Sequence, residues 1–511
     1  MNWPARRSTL RRLTSLAISC FAAFALYGCS KEEGGAANVI FISIDTLRAD
    51  HVGAYGYEKP TTPNIDHLAG EGALFETVIA ESSWTLPTHM TMMTGLTSKV
   101  HGVLYDAFGL DPERETLAEV LQERGYETFG LYSAPYLHPM FGFGQGFDSY
   151  ESVVDFQAYD NPEFELKDLT DEMKQKLGEQ DHGSHRTVTT PEIVDRTIGF
   201  IEQNKDERFF AFLHLFDVHS DYIPPEEDWR LFDPDYQGKL DGKNFWFNEK
   251  FRPGMNRDDY EHILALYDGE IHFVDRHLQR LFAKLEELGL EEDTLIVITS
   301  DHGEEFLEHG GKAHRYTLFD EVLKVPLIFR WKGHIPAGRR HANQVRQVEI
   351  MPTILSLLGI RAPEGVMGKD LKPAILDGVN LASIPAASRL VWPGTQYWNS
   401  MRLEGSKYLS SRPSVPTDGL PVTTDPELLG AREAFERSDK FENEVRAQLA
   451  QSSEGRRVDA DPRMLAELAK LGYIGNVEVD DSTLGDAAEI FFDLKNDPKE
   501  QKAYRAPRSP R

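Results

Sequence analysis

A chain of 511 residues that is 40% hydrophobic and 27% charged has enough apolar material for a sizeable core, which excludes a disordered polymer. Its 83 acidic residues against 55 basic ones leave a formal charge of −28, a surface that repels polyanions and excludes nucleic acid as a partner. The only cysteines are Cys20 and Cys29.

Arg6, Arg7, Arg11 and Arg12 precede an apolar run from Leu16 to Tyr27, which ends at Gly28-Cys29. A basic, then apolar, then small-residue–Cys order is that of a lipoprotein export signal. Residues 1–28 therefore read as a signal peptide. A lipid on Cys29 would make the product an exported, membrane-anchored lipoprotein of the periplasm or cell surface. Cleavage removes four arginines, which takes the charge from −28 to −32, and leaves no pair of cysteines for an internal disulfide. Residues 29–37 read as a flexible tether. No later stretch is apolar enough to span a bilayer.

From residue 38 onward, apolar runs alternate with helical patterns. Asn38–Ile44 reads as a buried strand, with a helix starting at Thr62-Pro63 and a second helix over Glu115–Gly125. Strands follow at Tyr126–Tyr132 and Phe209–Phe216, separated by a helix over Pro191–Asn204. A long helix covers Asp258–Gly289, and further strands cover Thr294–Ser300 and Val325–Arg330. Strands apolar on both faces, alternating with helices, predict an α/β fold, a three-layer αβα arrangement with a mainly parallel central sheet. Residues 151–190 and 221–257 are polar and weakly periodic and read as rims over a site. The pattern changes near residue 385. We expect a catalytic domain over 38–385 and a smaller α+β subdomain over 386–511, with helices at Ala431–Ser452 and Asp461–Leu471 and a closing strand after Glu489.

In a parallel sheet, ligands bind beyond the carboxyl ends of the strands. Asp45 ends the first strand, and Asp301-His302 ends a strand some 250 residues later. A carboxylate and an imidazole together offer ligands to a divalent ion, although Asp-His-Gly also serves simply to turn a chain and cap a helix. Trp84-Thr85-Leu-Pro-Thr-His89 precedes a helical run, so Thr85 or Thr88 reads as an N-cap. A hydroxyl at such an anion-attracting helix start becomes a nucleophile if a metal lowers its pKa.

Taken together, Ile44-Asp-Thr-Leu-Arg-Ala-Asp-His51, Tyr55-Gly-Tyr57, Thr62-Pro-Asn-Ile-Asp66, Thr85-x-Pro-x-His89 to Thr94-Gly95, Asp301-His-Gly-Glu304 and Glu308-His-Gly310 resemble successive motifs of the sulfatase family. That family lies within the alkaline phosphatase superfamily. Val325-Pro-Leu-Ile328, Pro352-Thr-Ile-Leu355 and Asp493-Leu-Lys-Asn-Asp-Pro498 fit as well. The resemblance implies that Asp45, Thr85, Asp301 and His302 surround one divalent metal ion (Zn, Mn or Ca), with Thr85 as nucleophile. It implies that His219 contacts substrate, and that Lys312 or His314 lies against the substrate anion.

Two departures carry weight. Family sulfatases use a Cys or Ser oxidised to formylglycine. Oxidising Thr85 would give a ketone, so no formylglycine is expected. Where they pair two aspartates after the first strand, this chain has Asp45-Thr46. Thr-x-Pro-x-His is similar instead to the superfamily's phosphodiesterases and its phosphoglycerol or phosphoethanolamine transferases. The expected activity is metal-dependent hydrolysis of sulfate or phosphate esters, with the phosphoester favoured by residue chemistry. The substrate would be a small-molecule, glycan or lipid ester. A transferase of the phosphoglycerol or phosphoethanolamine type, and a non-catalytic lipoprotein that binds glycan or anion, are the alternatives.

Overall fold

In a computed structural model, residues 37–154, 188–392, 396–412, 426–449, 456–457 and 488–505 are described. The signal peptide, Cys29, most of the 151–190 segment and the helix expected at Asp461–Leu471 lie outside them. No helix among the described residues is long and apolar enough to cross a membrane.

The central sheet has eight strands: β1 (Asn38–Ile44), β2 (Ala73–Phe75), β3 (Glu127–Tyr132), β4 (Ser149–Ser152), β5 (Phe209–Leu215), β6 (Thr294–Thr299), β7 (Leu327–Arg330) and β8 (Arg339–His341). Their order is β8-β2-β7-β6-β1-β5-β3-β4. Only β7 runs against its neighbours, β2 and β6. β1 lies at the centre, with β5 and β6 parallel on either side.

Every residue of β1, β5 and β6 is buried, because each strand supplies alternate residues to two cores. Val39, Phe41, Phe210, Phe212, Leu295 and Val297 face one core, shared with helices α2 (Thr85–Thr94), α3 (Leu117–Gln122) and α6 (Ile350–Leu357). Ile40, Ile42, Leu213, Leu215, Ile296 and Ile298 face the other, shared with α1 (Pro63–Gly70), α4 (Thr190–Asn204) and α5 (Arg257–Glu287). This period-2 division across a covered sheet makes the three layers. The start of α3 falls inside the expected range for a local reason. Thr116 Oγ1 accepts the Glu119 N–H at 3.1 Å while Glu119 Oε2 accepts the Thr116 N–H at 2.8 Å, a reciprocal cap.

A second, antiparallel sheet runs in the order β9 (Ala386–Trp392), β10 (Gln396–Arg402), β11 (Ser406–Arg412), β12 (Ala488–Asp493) and β13 (Ala503–Arg505). Helix α7 (Pro426–Leu449) covers one face through Leu428 and Ala431. The first core continues into this sheet through Leu390, Leu409 and Phe492. A buried polar knot adds to the join. Lys407 Nζ donates to Asp320 at 2.9 Å and to Glu500 at 2.7 Å, and Glu500 Oε2 accepts the Asp320 N–H at 2.7 Å. Each charge in the knot is paired, as burial requires.

Phe41 meets Phe212 with ring centroids 5.5 Å apart at the middle of the sheet. Phe41→Ala should cost about 3–5 kcal/mol, read as a lowered urea midpoint with unchanged slope.

Candidate active site

The register of the three central strands levels their carboxyl ends. Ser43 pairs with His214 of β5 and with Thr299 of β6, so Asp45 and Asp301 emerge side by side. After Asp45 the chain turns sharply, with Thr46 in the left-handed region at φ 56°. Three hydrogen bonds hold it there. The Thr46 N–H reaches Asp301 Oδ1 at 3.2 Å, its Oγ1 reaches the Val218 carbonyl at 3.0 Å, and its own carbonyl accepts from Tyr267 at 2.7 Å. The Thr46 side chain thus bolts the β1 end to the β5 end.

Thr85 is the first residue of α2, and the cap position belongs to Trp84 in extended conformation. This corrects the expectation that Thr85 or Thr88 caps the helix. Thr88 Oγ1 instead turns back to the carbonyls of Trp84 and Thr85, at 2.8 and 2.9 Å, and Thr85 Oγ1 is left for the site. It lies 3.5 Å from Asp45 Oδ2 and 3.5 Å from His302 Nε2. His89 pins this first turn onto β1, with Nδ1 at 2.9 Å from the Thr85 carbonyl and Nε2 at 2.9 Å from Ser43 Oγ. Burial pulls the His89 imidazole down to about 3, so it is neutral.

His302 Nδ1 lies 2.9 Å from the Gly303 carbonyl and donates to it. That fixes the tautomer and turns the Nε2 lone pair toward Asp301 Oδ2 at 3.2 Å and Asp45 Oδ1 at 3.7 Å. These two carboxylate oxygens are buried without a hydrogen-bond partner. Three such atoms facing one another in a buried pocket require a shared cation between them, a proton on Nε2 or a metal ion. Ligand atoms of Asp45, Asp301 and His302 all lie within 4.8 Å of one another. The separations of 3.2 and 3.7 Å bracket the roughly 3.4 Å between ligands of a tetrahedral ion with bonds near 2.1 Å. The residues therefore fit a divalent metal. Burial pushes the Asp45 carboxyl up to about 6, opposed by His302 and by hydrogen bonds from Thr85 and Thr46.

His314 comes to the same place. Its ring centroid is 4.4 Å from that of His302 and 4.9 Å from that of His219. Its Nδ1 shares a proton with Glu304 Oε1 at 3.0 Å, and its buried Nε2 has no hydrogen-bond partner in the protein. Burial and the neighbouring imidazoles hold the ring well below the usual histidine range. His219 stacks on Phe216 at 4.3 Å and donates from Nδ1 to the Ser220 carbonyl at 2.7 Å.

Lys312 goes elsewhere. It sits in a small hairpin formed by two-residue strands, Glu305–Phe306 and Lys312–Ala313, and its ammonium donates to the Asn248 carbonyl at 2.8 Å. Ala313, at φ 68°, kinks the backbone between Lys312 and His314.

Two residues beyond the sequence-derived set join the site. His214, inside β5, places Nε2 3.2 Å from Asp45 Oδ2. Burial pulls this imidazole down to about 4, so it donates as a neutral ring and aims Asp45. A histidine inside an otherwise apolar strand was the available signal. The Arg315 guanidinium stacks on Trp84 at 4.4 Å and on Trp392 at 4.2 Å, and the Arg315 backbone N–H donates to the Ser83 carbonyl at 3.0 Å. It sets a permanent positive charge beside the start of α2. Asp217, by contrast, is spent on the start of α4, where it accepts the Thr189 and Thr190 N–H groups at 2.9 and 2.6 Å.

Glu305, His309 and Glu321 also cluster. His309 Nδ1 pairs with Glu321 at 2.6 Å and its Nε2 donates to the Glu500 carbonyl at 3.1 Å. Burial opposes the charge, but the Glu321 carboxylate outweighs it and pushes the imidazole up to about 9. This cluster is an ion pair that ties the hairpin to the second sheet.

A three-layer fold with buried carboxylates, an imidazole and a hydroxyl at the carboxyl edge of its central strands defines a hydrolase of the alkaline phosphatase type. The sulfatase family model matches residues 37–360, and the chain belongs to that family. Family members are metal-dependent hydrolases in general. The chain is similar to an N-acetylglucosamine-6-O-sulfatase of Bacteroides thetaiotaomicron, at 25% identity over 72% of this chain and 76% of that one. It is also similar to a multifunctional alkaline phosphatase superfamily protein of Trinickia caryophylli, at 25% identity over 67% and 77%. Among solved structures, the phosphonate monoester hydrolase of Agrobacterium radiobacter shares the fold with TM-score 0.60 and 22% identity, covering 81% of this chain and 96% of that one. A structure bound to its substrate D-glucosamine-2-N,6-O-disulfate does so with TM-score 0.59 and 20% identity, over 83% and 100%.

His214→Ala should remove the donor to Asp45 and cost about 1–3 kcal/mol in denaturant titration. It should also weaken metal retention during dialysis, measured by elemental analysis, and His214→Gln should recover part of both losses.

Proposed function

We propose that this chain hydrolyses a sulfate or phosphate ester with Thr85 as the nucleophile, and that Asp45, Asp301 and His302 hold one divalent ion, Zn, Mn or Ca. The observation that carries the reading is the position of Thr85 Oγ1, 3.5 Å from both Asp45 Oδ2 and His302 Nε2, at the first residue of a helix. A bound divalent ion supplies a lowered hydroxyl pKa and a counter-charge for an ester oxygen.

The chain's own residues do the rest. Thr85 Oγ1 is oriented by its hydrogen bond to Asp45 Oδ2, which is the base within reach of the Thr85 proton. The start of α2 and the Arg315 guanidinium favour an anion in front of Thr85. With the shared proton resting on Glu304 Oε1, the neutral His314 ring carries its own proton on Nε2, gives it to the leaving oxygen while Nδ1 takes the Glu304 proton, and regains it from the incoming water. His219 lines the same side.

A threonine yields no formylglycine, so resolution of the intermediate requires displacement at phosphorus or sulfur by an outside nucleophile. Phosphorus accepts such a second displacement more readily, and residue chemistry therefore favours a phosphoester. An acceptor alcohol in place of water would make the enzyme a transferase. The names of the relatives point to glycan esters as the first substrates to try. We further propose that the protein is exported and anchored through a lipid on Cys29.

Thr85→Ala should abolish turnover of aryl sulfate, phosphomonoester and phosphodiester alike, in a panel with Zn, Mn and Ca, while the far-UV spectrum and metal content stay those of the parent. Turnover at the parent rate would remove Thr85 from the chemistry. Mass spectrometry of membrane-extracted protein should find an acylated amino-terminal Cys29, and an unprocessed or unacylated terminus would refute the anchor.

A further inference from the structure

His314 sits between two residues in the left-handed region, Ala313 at φ 68° and Arg315 at φ 71°. A residue with a Cβ stays in that region only where its surroundings hold it there. Arg315 is held at both backbone ends and along its side chain. Its N–H donates to the Ser83 carbonyl at 3.0 Å, and its own carbonyl accepts from Gln396 Nε2 at 2.5 Å. Its guanidinium carbon lies 4.4 Å from the centre of the Trp84 ring, 5.1 Å from that of Tyr136 and 4.2 Å from that of Trp392. Nη1 donates to the Tyr136 hydroxyl at 3.2 Å.

Two of these holds come from the second sheet. Trp392 ends β9, Gln396 opens β10, and the two are direct partners across the antiparallel pair. Such partners carry their side chains on one face. Here both reach the same residue, one with its ring and the other with its amide. The Trp84 and Trp392 rings meet at 74° with centroids 6.2 Å apart, so they make a corner around the guanidinium, not a stack. Aromatic rings attract a cation without bearing a net charge, so they anchor the guanidinium and do not neutralise it. Arg315, Trp84 and Tyr136 are buried, and Trp392 and Gln396 are half-buried. Asp106 feels the same charge: burial raises its carboxyl, while Arg315 and Tyr136 lower it.

We propose that Trp392 and Gln396 are positioning residues of the active site, which act through Arg315 and set the affinity for the ionised end of the ester. This rests on the reading above that Arg315 favours an anion in front of Thr85. The second sheet thereby takes part in the reaction, since Gln396 fastens Arg315 from 81 residues further along the chain. Any large apolar side chain would serve if Trp392 only filled space. Anchoring a cation requires an aromatic ring, and that difference can be measured.

The test titrates inorganic phosphate and inorganic sulfate into the metal-loaded full chain by calorimetry, beside KM and kcat for 4-nitrophenyl sulfate and phosphate. In Trp392→Leu the Kd for the anion and the KM should each rise about three- to thirtyfold, the scale of one cation–π contact, with kcat changed less. Trp392→Phe should recover most of that loss, and Gln396→Ala should raise the same two constants. Arg315→Gln should raise them at least as far as Trp392→Leu does. Adding Trp392→Leu to Arg315→Gln should cost nothing more, because both act through one group. Equal losses in Trp392→Leu and Trp392→Phe overturn the proposal, as does a Trp392→Leu loss that persists in full beside Arg315→Gln. An unchanged anion affinity in Trp392→Leu also overturns it and leaves Arg315 and Asp106 as a structural pair. Should Arg315→Gln fail to fold, the contrast between Trp392→Leu and Trp392→Phe decides alone. If the parent turns over no ester, the hydrolase reading fails, whereas the anion titration still decides this proposal. A parent that binds neither anion overturns it.

Discussion

Two carboxylates and an imidazole nitrogen, buried together at the ends of parallel strands, need a shared cation between them, and much of the surrounding structure is arranged to hold them in place. Asp45 and Asp301 are fully covered, so neither can relax toward solvent. Each has one oxygen anchored, by His214 in one case and by the Thr46 and His302 N–H groups in the other. The remaining oxygens face the His302 lone pair. Such an arrangement fits a cation, and the metal ion proposed above would link binding to folding through it.

The layers of histidine follow from the same constraint. Below the metal-facing atoms lie His89 and His214, both neutral through burial, which donate protons without adding a charge that would compete with a cation. On the substrate side lie His219 and His314, each with Nδ1 engaged so that ring orientation is fixed. In the proposed reaction a single residue type would serve as ligand, as strut and as proton carrier. The role is set in each case by what the Nδ1 atom touches.

Much of this was legible in the chain itself. Strands ending in Asp45 and in Asp301-His302 stood out because apolar runs stopped at charged residues, and the sheet that joins them follows from their alternation with helices. Thr85 was visible through its proline and histidine spacing. What sequence hid was direction. Lys312 and His314 are two residues apart and look interchangeable, yet a left-handed Ala313 sends one to Asn248 and the other to the site. Thr88 looked as good a cap as Thr85 and turned out to brace the helix from within. His214 lies inside a strand where every neighbour is apolar, and Arg315 follows two other basic residues that mask it. Each of these depends on a backbone turn or a tertiary partner, which local pattern does not encode.

The knot of Lys407, Asp320 and Glu500 has a consequence for how the protein comes into being. The hairpin that follows Asp301 and leads to His314 is fastened by a residue almost two hundred positions further along the chain. Such distant contacts form late, after the entropy of closing a long loop has been met. A chain delivered amino-terminus first would complete its central sheet well before this clasp arrives. Arg48 and Asn248 already hold the base of the hairpin, through Glu304, Glu308 and Lys312, so only its tip, at His309, would wait for Glu500. The last stretch of chain would then act as a latch on a site whose strand ends and hairpin base are already in place.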